Sequence, residues 1–263
     1  MLEVESLKKV YGDPRSGGIE AIRDVTFTVI ENEFVCIVGP SGAGKTTLLR
    51  CLSGLQGRTS GTVTLDGEVV NSPPIKMAGV FQDYSRSLMP WFTVERNVAL
   101  PLKNKFPDKA ERQERVSNAL RSVNLEDFGK RYPWELSGGM QQRVAIAWAI
   151  AYEPEIMLMD EPFASVDAQT RSDLEDLVLR VQHETGTAVL LVTHDIDEAV
   201  YLADRVVVLS ARPTEVMEVV QVDLPRPRDQ LTTKSLPRFA EYRTHILGLV
   251  RSTAPVPASV SST

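Results

Sequence analysis

The sequence has few cysteines, no long apolar run and no excess of positive charge, and each absence narrows the possible classes of protein. Only two cysteines, Cys36 and Cys51, occur among 263 residues. Each lies in an apolar run, so we expect both to be small buried hydrophobic residues of a cytosolic protein. No window reaches the roughly 18 consecutive apolar residues that a membrane-spanning helix needs.

Two further features limit the possible partners. The N-terminal residues MLEVESLKKVYG contain no apolar signal-peptide segment, so we expect no secretory leader and expect any membrane role to come through a partner. The formal net charge of −6 argues against a sequence-wide electrostatic grip on nucleic acid, and we expect no nucleic-acid partner. Hydrophobic residues make up 43% of the chain, which predicts a globular protein with a substantial core.

Short apolar runs alternate with helical patterns along most of the chain. The runs Ile156–Met159, Ala188–Val192 and Val206–Leu209 have the length and composition of buried strands in a parallel sheet. Near the N-terminus, an Asp66-Gly67 turn predicts a hairpin. We therefore predict an α/β fold with a mostly parallel sheet core, N-terminal antiparallel strands and an inserted helical subdomain at about 85–151.

The composition changes after Pro225, and we place a boundary there. The main domain is predicted over 1–225. The extension over 226–263 is predicted to hold a short helix, about Pro237–Arg251, followed by a Ser/Pro-rich disordered tail.

A glycine-rich loop between a strand and a helix carries the strongest chemical signal. Residues 39–46 match Gly-x-x-x-x-Gly-Lys-[Ser/Thr] in full, and the strand–loop–helix setting argues against an ordinary turn. Such loops aim backbone N–H groups at a phosphate, and the following helix adds its dipole. We predict that Lys45 reaches the β- and γ-phosphates of a nucleotide and that Thr46 ligates Mg²⁺. The phosphate-binding residues are predicted to be Gly39, Pro40, Ser41, Gly42, Ala43, Gly44, Lys45, Thr46 and Thr47.

Two carboxylates follow a buried strand. Because side chains alternate along a strand, Asp160 and Glu161 point to different sides and can take different roles. We predict that Asp160 binds Mg²⁺ or its water and that Glu161 acts as general base on the attacking water. A solvated strand end would explain two acids equally well in isolation, and the complete phosphate loop favours the catalytic interpretation.

A second anion-binding surface is predicted at another helix N-terminus. Ser137, Gly138 and Gly139 stand at the start of a helical run, where bare N–H groups and a positive dipole end face outwards. One phosphate chain does not need two such surfaces from one subunit. It could use one from each of two subunits packed head to tail.

Together these motifs resemble the ATPase subunit of ABC transporters. The resemblance rests on the phosphate loop, Gln82, LSGGMQQR at 136–143, MLMDEP at 157–162 and His194, in the family's order. It implies a RecA-like P-loop NTPase core and a homodimer that hydrolyses ATP. Each ATP would lie between one protomer's phosphate loop and the partner's signature residues, which here are Ser137, Gly138, Gly139 and Gln141.

The resemblance also assigns roles outside these motifs. Tyr11 matches the aromatic residue that stacks on adenine, although a surface tyrosine would be the simpler alternative. Gln82 matches the residue that contacts Mg²⁺ and the attacking water while sensing the membrane partner. His194 matches the histidine that contacts the γ-phosphate. The catalytic residues implied are Glu161, His194, Gln82 and Lys45.

Two segments look like the importer subfamily for nitrate, sulfonates and taurine, namely Phe81–Val98 and Val222–Asp229. This similarity implies two integral-membrane permease subunits, a separate substrate-binding protein and a peripheral location on the cytoplasmic face of the inner membrane. Trp91 falls in the segment that lines the permease groove in relatives. The alternative role for Trp91 is that of a core aromatic residue of the helical subdomain.

A soluble ABC ATPase of DNA repair, translation or iron–sulfur assembly is the alternative class. The DNA-repair type carries a long coiled-coil insertion and the translation type has two cassettes, and neither is found in this sequence. An exporter would usually fuse membrane helices to the cassette. The importer is therefore the favoured interpretation.

Overall fold

The structure is a computed structural model that describes residues 1–12, 17–81 and 88–252. The roles predicted for Gln82 and the predicted disorder of the tail beyond Ser252 lie outside these residues.

The strands of the described chain form one sheet in the order β5-β4-β1-β2-β10-β9-β3-β8-β7-β6. From β9 to β6 all neighbours run parallel, whereas β1 pairs antiparallel with β2 and β4. The predicted α/β fold class, with its parallel core and antiparallel N-terminal strands, is therefore confirmed. The strands are β1 (Leu2–Tyr11), β2 (Ile19–Val29), β3 (Phe34–Val38), β4 (Ser60–Leu65), β5 (Glu68–Val69), β6 (Met77–Val80), β7 (Ile156–Asp160), β8 (Ala188–Val192), β9 (Arg205–Leu209) and β10 (Thr214–Gln221).

The central strands are buried on both faces, which explains their unbroken apolar sequences. Every residue of β3, β7 and β8 is buried. Along β3, Cys36 packs into a core cluster on one face while Val35 and Ile37 pack into another on the opposite face. Both cysteines are buried and free, as predicted.

The helices that follow β6 share one core cluster. Apolar side chains of Val94, Val98, Val116 and Leu120 pack into the same cluster as the helix that begins at Gly138. The helices of the described chain are α1 (Lys45–Leu52), α2 (Val94–Ala99), α3 (Leu102–Lys105), α4 (Lys109–Ser122), α5 (Gly138–Ala151), α6 (Ala168–Thr185), α7 (Ile196–Leu202) and α8 (Pro237–Ser252). Of the helices in these residues, none is long and apolar enough to cross a membrane.

The structure adds information on two local features. Trp91 is 64% exposed, so its alternative assignment as a core aromatic is wrong. The C-terminal segment is joined to the core, because Phe239 and Ile246 of α8 are buried in the cluster around the parallel strands. Lys234 and Gln230 of the preceding segment also contact the buried carboxylate of Glu175.

Candidate functional site

The carboxyl ends of three adjacent parallel strands meet at one edge of the sheet. β8 lies between β3 and β7, so the phosphate loop after β3, Glu161 after β7 and His194 after β8 are brought together. They border a cleft of about 510 Å³. The residues lining it are Ser41, Gly42, Ala43, Gly44, Lys45, Thr46, Thr47, Glu161, His194 and Arg212.

Glycine is required at specific points of the phosphate loop. Gly42 and Gly44 adopt φ values of 77° and 78°, which glycine reaches without steric cost. A Cβ on Gly39 would lie 3.0 Å from the carbonyl oxygen of Leu209, so the loop starts in close contact with the end of β9. Gly44 then caps α1, and the first backbone N–H groups of that helix are available to an anion.

Lys45 is buried beneath the loop. Its Nζ donates hydrogen bonds to the carbonyl oxygens of Gly39 at 2.9 Å and Pro40 at 3.0 Å. Burial lowers the pKa of Lys45, while the carboxylates of Glu161 and Asp160 act in the opposite direction. The ammonium group is thus held inside the loop, where a phosphate oxygen could replace the carbonyl contacts.

Asp160, the last residue of β7, lies beside the Thr46 hydroxyl in the first turn of α1. Burial raises the pKa of the Asp160 carboxyl, with the charge of Glu161 adding to the rise and the Thr46 hydroxyl opposing it. A hydroxyl beside a carboxylate is an all-oxygen donor set, which suits Mg²⁺. No group of three His, Cys, Asp or Glu residues in the described chain could hold a metal by itself.

Glu161 and His194 form a pair at the mouth of the cleft. His194 Nδ1 lies 3.3 Å from Glu161 Oε2. Glu161 has a backbone φ of 45°, a left-handed conformation uncommon outside glycine. Its N–H donates to the carbonyl of Val192 at the end of β8, which fixes this turn. The strand ends at Asp160, so Glu161 is the first residue of this turn.

Tyr11 lies beside the phosphate loop and outside the lining of the cleft. Its hydroxyl is 3.1 Å from Thr47 Oγ1 and accepts a hydrogen bond from Gln56. The Thr47 hydrogen bond holds the pKa of Tyr11 below its usual value. The ring is 40% exposed next to the end of the loop, a place from which a base could be stacked.

The signature turn is a separate surface within one chain. Ser137 caps α5 by accepting a hydrogen bond from Met140 N–H, and both Ser137 and Gly138 are exposed. The described residues that line the cleft include none of the turn. Gln141 is directed inwards, because its amide donates to the carbonyl oxygens of Pro133 and Leu136.

Two residues of this region were missed by sequence reasoning. Arg212 lines the cleft, and the Thr214 hydroxyl donates to the carbonyl of Ala43 in the phosphate loop. Arg212 lies in the β9–β10 connection and Thr214 is the first residue of β10, so both are more than 160 positions along the chain from that loop. The available signal was the strand Val206–Leu209, whose carboxyl end had to fall at the same edge of the sheet.

Comparisons with known proteins agree with this geometry. The family model for ABC transporters matches residues 22–164. An uncharacterised ABC transporter ATP-binding protein of Methanocaldococcus jannaschii is 48% identical over 95% of this chain and 91% of its own length. An aliphatic sulfonates import ATP-binding protein of Bacillus cereus is 39% identical over 90% of this chain and 91% of its own length. A nitrate import ATP-binding protein of Synechocystis is 40% identical over 95% of each chain.

Solved structures show the same architecture. A dimeric ATP-binding cassette in a post-hydrolysis state, bound to ADP and Pi, superposes with a TM-score of 0.73 at 34% identity. The match covers 84% of this chain and 99% of that one. The chain therefore belongs to the ABC transporter family, of which it is an ATP-binding, ATP-hydrolysing cassette.

Proposed function

We propose that this chain is the ATPase subunit of an importer for a small anion such as a sulfonate, taurine or nitrate, working as a homodimer on the cytoplasmic face of the inner membrane. The observation that carries the ATPase part is the cleft, which unites a phosphate loop, a buried lysine and the Glu161–His194 pair. The observation that supports import is the naming of close relatives as sulfonate and nitrate import proteins. Two permease subunits and a substrate-binding protein would complete the transporter.

The phosphate loop and Lys45 bind the triphosphate. Backbone N–H groups of the loop and of the first turn of α1 face the phosphates, and Lys45 exchanges its carbonyl partners for phosphate oxygens. Thr46 and Asp160 would hold Mg²⁺, which neutralises charge on the phosphate oxygens when it is bound. Tyr11 provides the surface for the adenine ring.

Glu161 and His194 act on the attacking water. The Glu161 carboxylate accepts a proton from the water whose oxygen forms a bond to the γ-phosphorus. The bond between that phosphorus and the bridging oxygen breaks, and ADP leaves with the bonding electrons. His194 holds the carboxylate through Nδ1, which leaves its other ring nitrogen for the γ-phosphate.

The exposed Ser137–Gly139 turn supports a site shared between protomers. It presents a helix N-terminus but does not border its own chain's cleft, so it needs a phosphate from elsewhere. A partner packed head to tail would supply that phosphate. Dimeric cassettes among the solved relatives are consistent with this arrangement.

The first test replaces the proposed base. We expect Glu161→Gln to keep ATP binding and to lower hydrolysis about 10²–10⁴-fold, the usual contribution of a positioned base. The matched control is Glu31→Gln, the same chemical change in the exposed turn before β3, at the opposite end of that strand. Near-normal turnover by Glu161→Gln would remove Glu161 from this role.

The second test concerns the partners. Tagged Glu161→Gln protein is purified with ATP from detergent-solubilised membranes, and the co-purifying proteins are identified. We expect a multi-span permease. Recovery of soluble partners alone, with permeases detectable in the starting material, would favour the non-transport alternative.

A further inference from the structure

The β9–β10 connection brings a cationic side chain to the cleft that no motif of the sequence assigns. Arg212 borders the same cavity as Lys45, Glu161 and His194. Lys45 is buried under the loop and already bonded to two carbonyl groups. Arg212 is exposed and approaches the cavity from the strand end beside the loop. Lys45 and Arg212 therefore reach the cleft at different depths and from different sides.

The connection is fixed against the phosphate loop on both sides of Arg212. Before it, the end of β9 at Leu209 lies close to Gly39, where an added Cβ would be 3.0 Å from the Leu209 carbonyl oxygen. After it, the fully buried Thr214 donates its hydroxyl hydrogen bond to the carbonyl of Ala43. The position of the Arg212 backbone thus depends on the loop that holds the phosphates.

Internal hydrogen bonds shape the connection further. Ser210 Oγ donates to the carbonyl of Ala211 at 2.9 Å and accepts from the N–H of Glu215 at the same distance. The backbone N–H of Ser210 also donates to the carbonyl of Glu215. Because the backbone is held in this way, little further ordering is needed for the arginine to meet a ligand.

The guanidinium group of Arg212 forms no hydrogen bond or ion pair with any residue that the structure describes. Other arginines near the sheet are engaged: Arg205 pairs with Glu33, and Arg226 pairs with Asp204 at 2.5 Å. A guanidinium presents a planar fork of donors that matches phosphate oxygens and is always charged. Its placement beside a phosphate loop therefore leaves it available for the phosphate chain of a bound nucleotide.

We propose that Arg212 is a nucleotide-binding residue that contacts the phosphate chain of ATP bound in its own protomer's cleft. The inference rests on the proposed function of the cleft, because it assumes that ATP occupies it. Arg212 adds an outer cationic contact opposite the inner contact made by Lys45. It secures the nucleotide on the side of the cleft formed by the β9–β10 connection.

The test is nucleotide affinity in matched variants. Binding of ADP and of the β,γ-imido analogue of ATP is measured for the wild type, Arg212→Gln, Arg212→Lys and Arg96→Gln. Arg96 is an exposed arginine of α2 that does not line the cleft, so its variant controls for the lost charge. We expect affinity for the imido analogue to fall about tenfold in Arg212→Gln, the loss of one charge-assisted hydrogen bond. Arg212→Lys should fall between the two, and Arg96→Gln should match the wild type.

Controls separate this inference from folding and from the proposed function. The melting temperature without nucleotide should be the same in all four proteins, because Arg212 is exposed and unpaired. Wild-type affinity in Arg212→Gln would overturn the inference alone. Normal nucleotide affinity combined with weakened dimerisation of Arg212→Gln would also overturn the inference, because Arg212 would then serve the protomer interface. A wild type that bound neither nucleotide would overturn the proposed function and this inference with it.

Discussion

At the scale of single residues, the signature motif uses glycine for two different reasons. Gly138 is exposed, as an anion-binding surface requires. Gly139 is instead enclosed by the next helix: an added Cβ would lie 2.4 Å from Cγ2 of Thr170. Thr170 cannot easily give way, because its hydroxyl donates to Asp167 at 2.7 Å and its β-branched side chain is stiff. The second glycine therefore permits α5 and α6 to approach.

We predict that Gly139→Ala destabilises the protein by about 1–3 kcal/mol, the usual cost of overpacking. The clash involves one methyl group, so Gly139→Ala combined with Thr170→Ser should recover most of the loss. Serine keeps the hydroxyl that bonds Asp167. Urea denaturation of the wild type, both single variants and the double variant gives the coupling free energy between positions 139 and 170. If the double variant were as unstable as Gly139→Ala, the contact would not be the cause.

A buried glutamate gives a pH-dependent prediction. Glu198 is buried, and its Oε1 has no hydrogen-bond partner among the residues described. Burial raises the pKa of Glu198 well above its ordinary value, the nearby Glu175 and Asp195 add to the rise, and Thr193 and Arg171 oppose it. A folded-state pKa raised in this way means stability that is full below the unfolded pKa and is lost as the pH rises.

Glu198→Gln removes that loss while preserving the shape of the side chain. We expect its melting temperature to exceed that of the wild type, with a larger difference at pH 8 than at pH 5. This window lies above the unfolded pKa of a glutamate, where the wild type progressively loses stability. Thermal melts at both values provide the measurement, with Glu241→Gln on the exposed face of α8 as control. A difference that shrank towards pH 8 would contradict the account.

The site residues that could be predicted are those that lie in contiguous sequence motifs. Lys45, Asp160 and Glu161 could be assigned because each follows a recognisable strand and because their chemistry complements a phosphate loop. Arg212 and Thr170 could not, since their roles arise from contacts between segments distant in sequence. The backbone strain at Glu161 likewise depends on the neighbouring strand end.

At the scale of elements, burial on both faces made some strands easy to predict and others hard. β3 and β8 begin and end where their apolar runs do. β10 was missed because it is partly exposed along most of its length and carries two glutamates, so its pattern is not that of a buried strand. β2 begins at Ile19, because a strand with exposed positions between buried ones tolerates polar residues such as Glu20 and Arg23.

The C-terminal helix supplies a prediction at the same scale. Ile246 of α8 is fully buried in the main core cluster. We expect Ile246→Ala to cost about 2–5 kcal/mol, the range for a buried isoleucine cut to alanine. Glu241→Ala, an exposed position on the same helix, should change stability by less than about 0.5 kcal/mol. Denaturant titration distinguishes the two, and equal small effects would mean that α8 is not part of the cooperative fold.

At the scale of the whole molecule, the proposed function places halves of two different ATP sites on each protomer. Its cleft is bordered by the phosphate loop, Lys45 and the Glu161–His194 pair, and its Ser137–Gly139 turn does not line that cleft. Because the turn is exposed and is proposed to bind a phosphate that its own cleft does not supply, the account requires a second protomer. ATP should therefore act as part of the protomer interface.

The most direct test is the molar mass in solution of Glu161→Gln with ATP and with ADP, measured by light scattering. The account predicts a doubling with ATP only. It also predicts that adding Gly138→Asp keeps the protein monomeric while its own loop still binds ATP. An aspartate in the first turn of α5 favours the helix but places a carboxylate where the partner's phosphate would bind. A protein that stays monomeric with ATP bound, or a Gly138→Asp variant that dimerises equally well, would contradict the shared site.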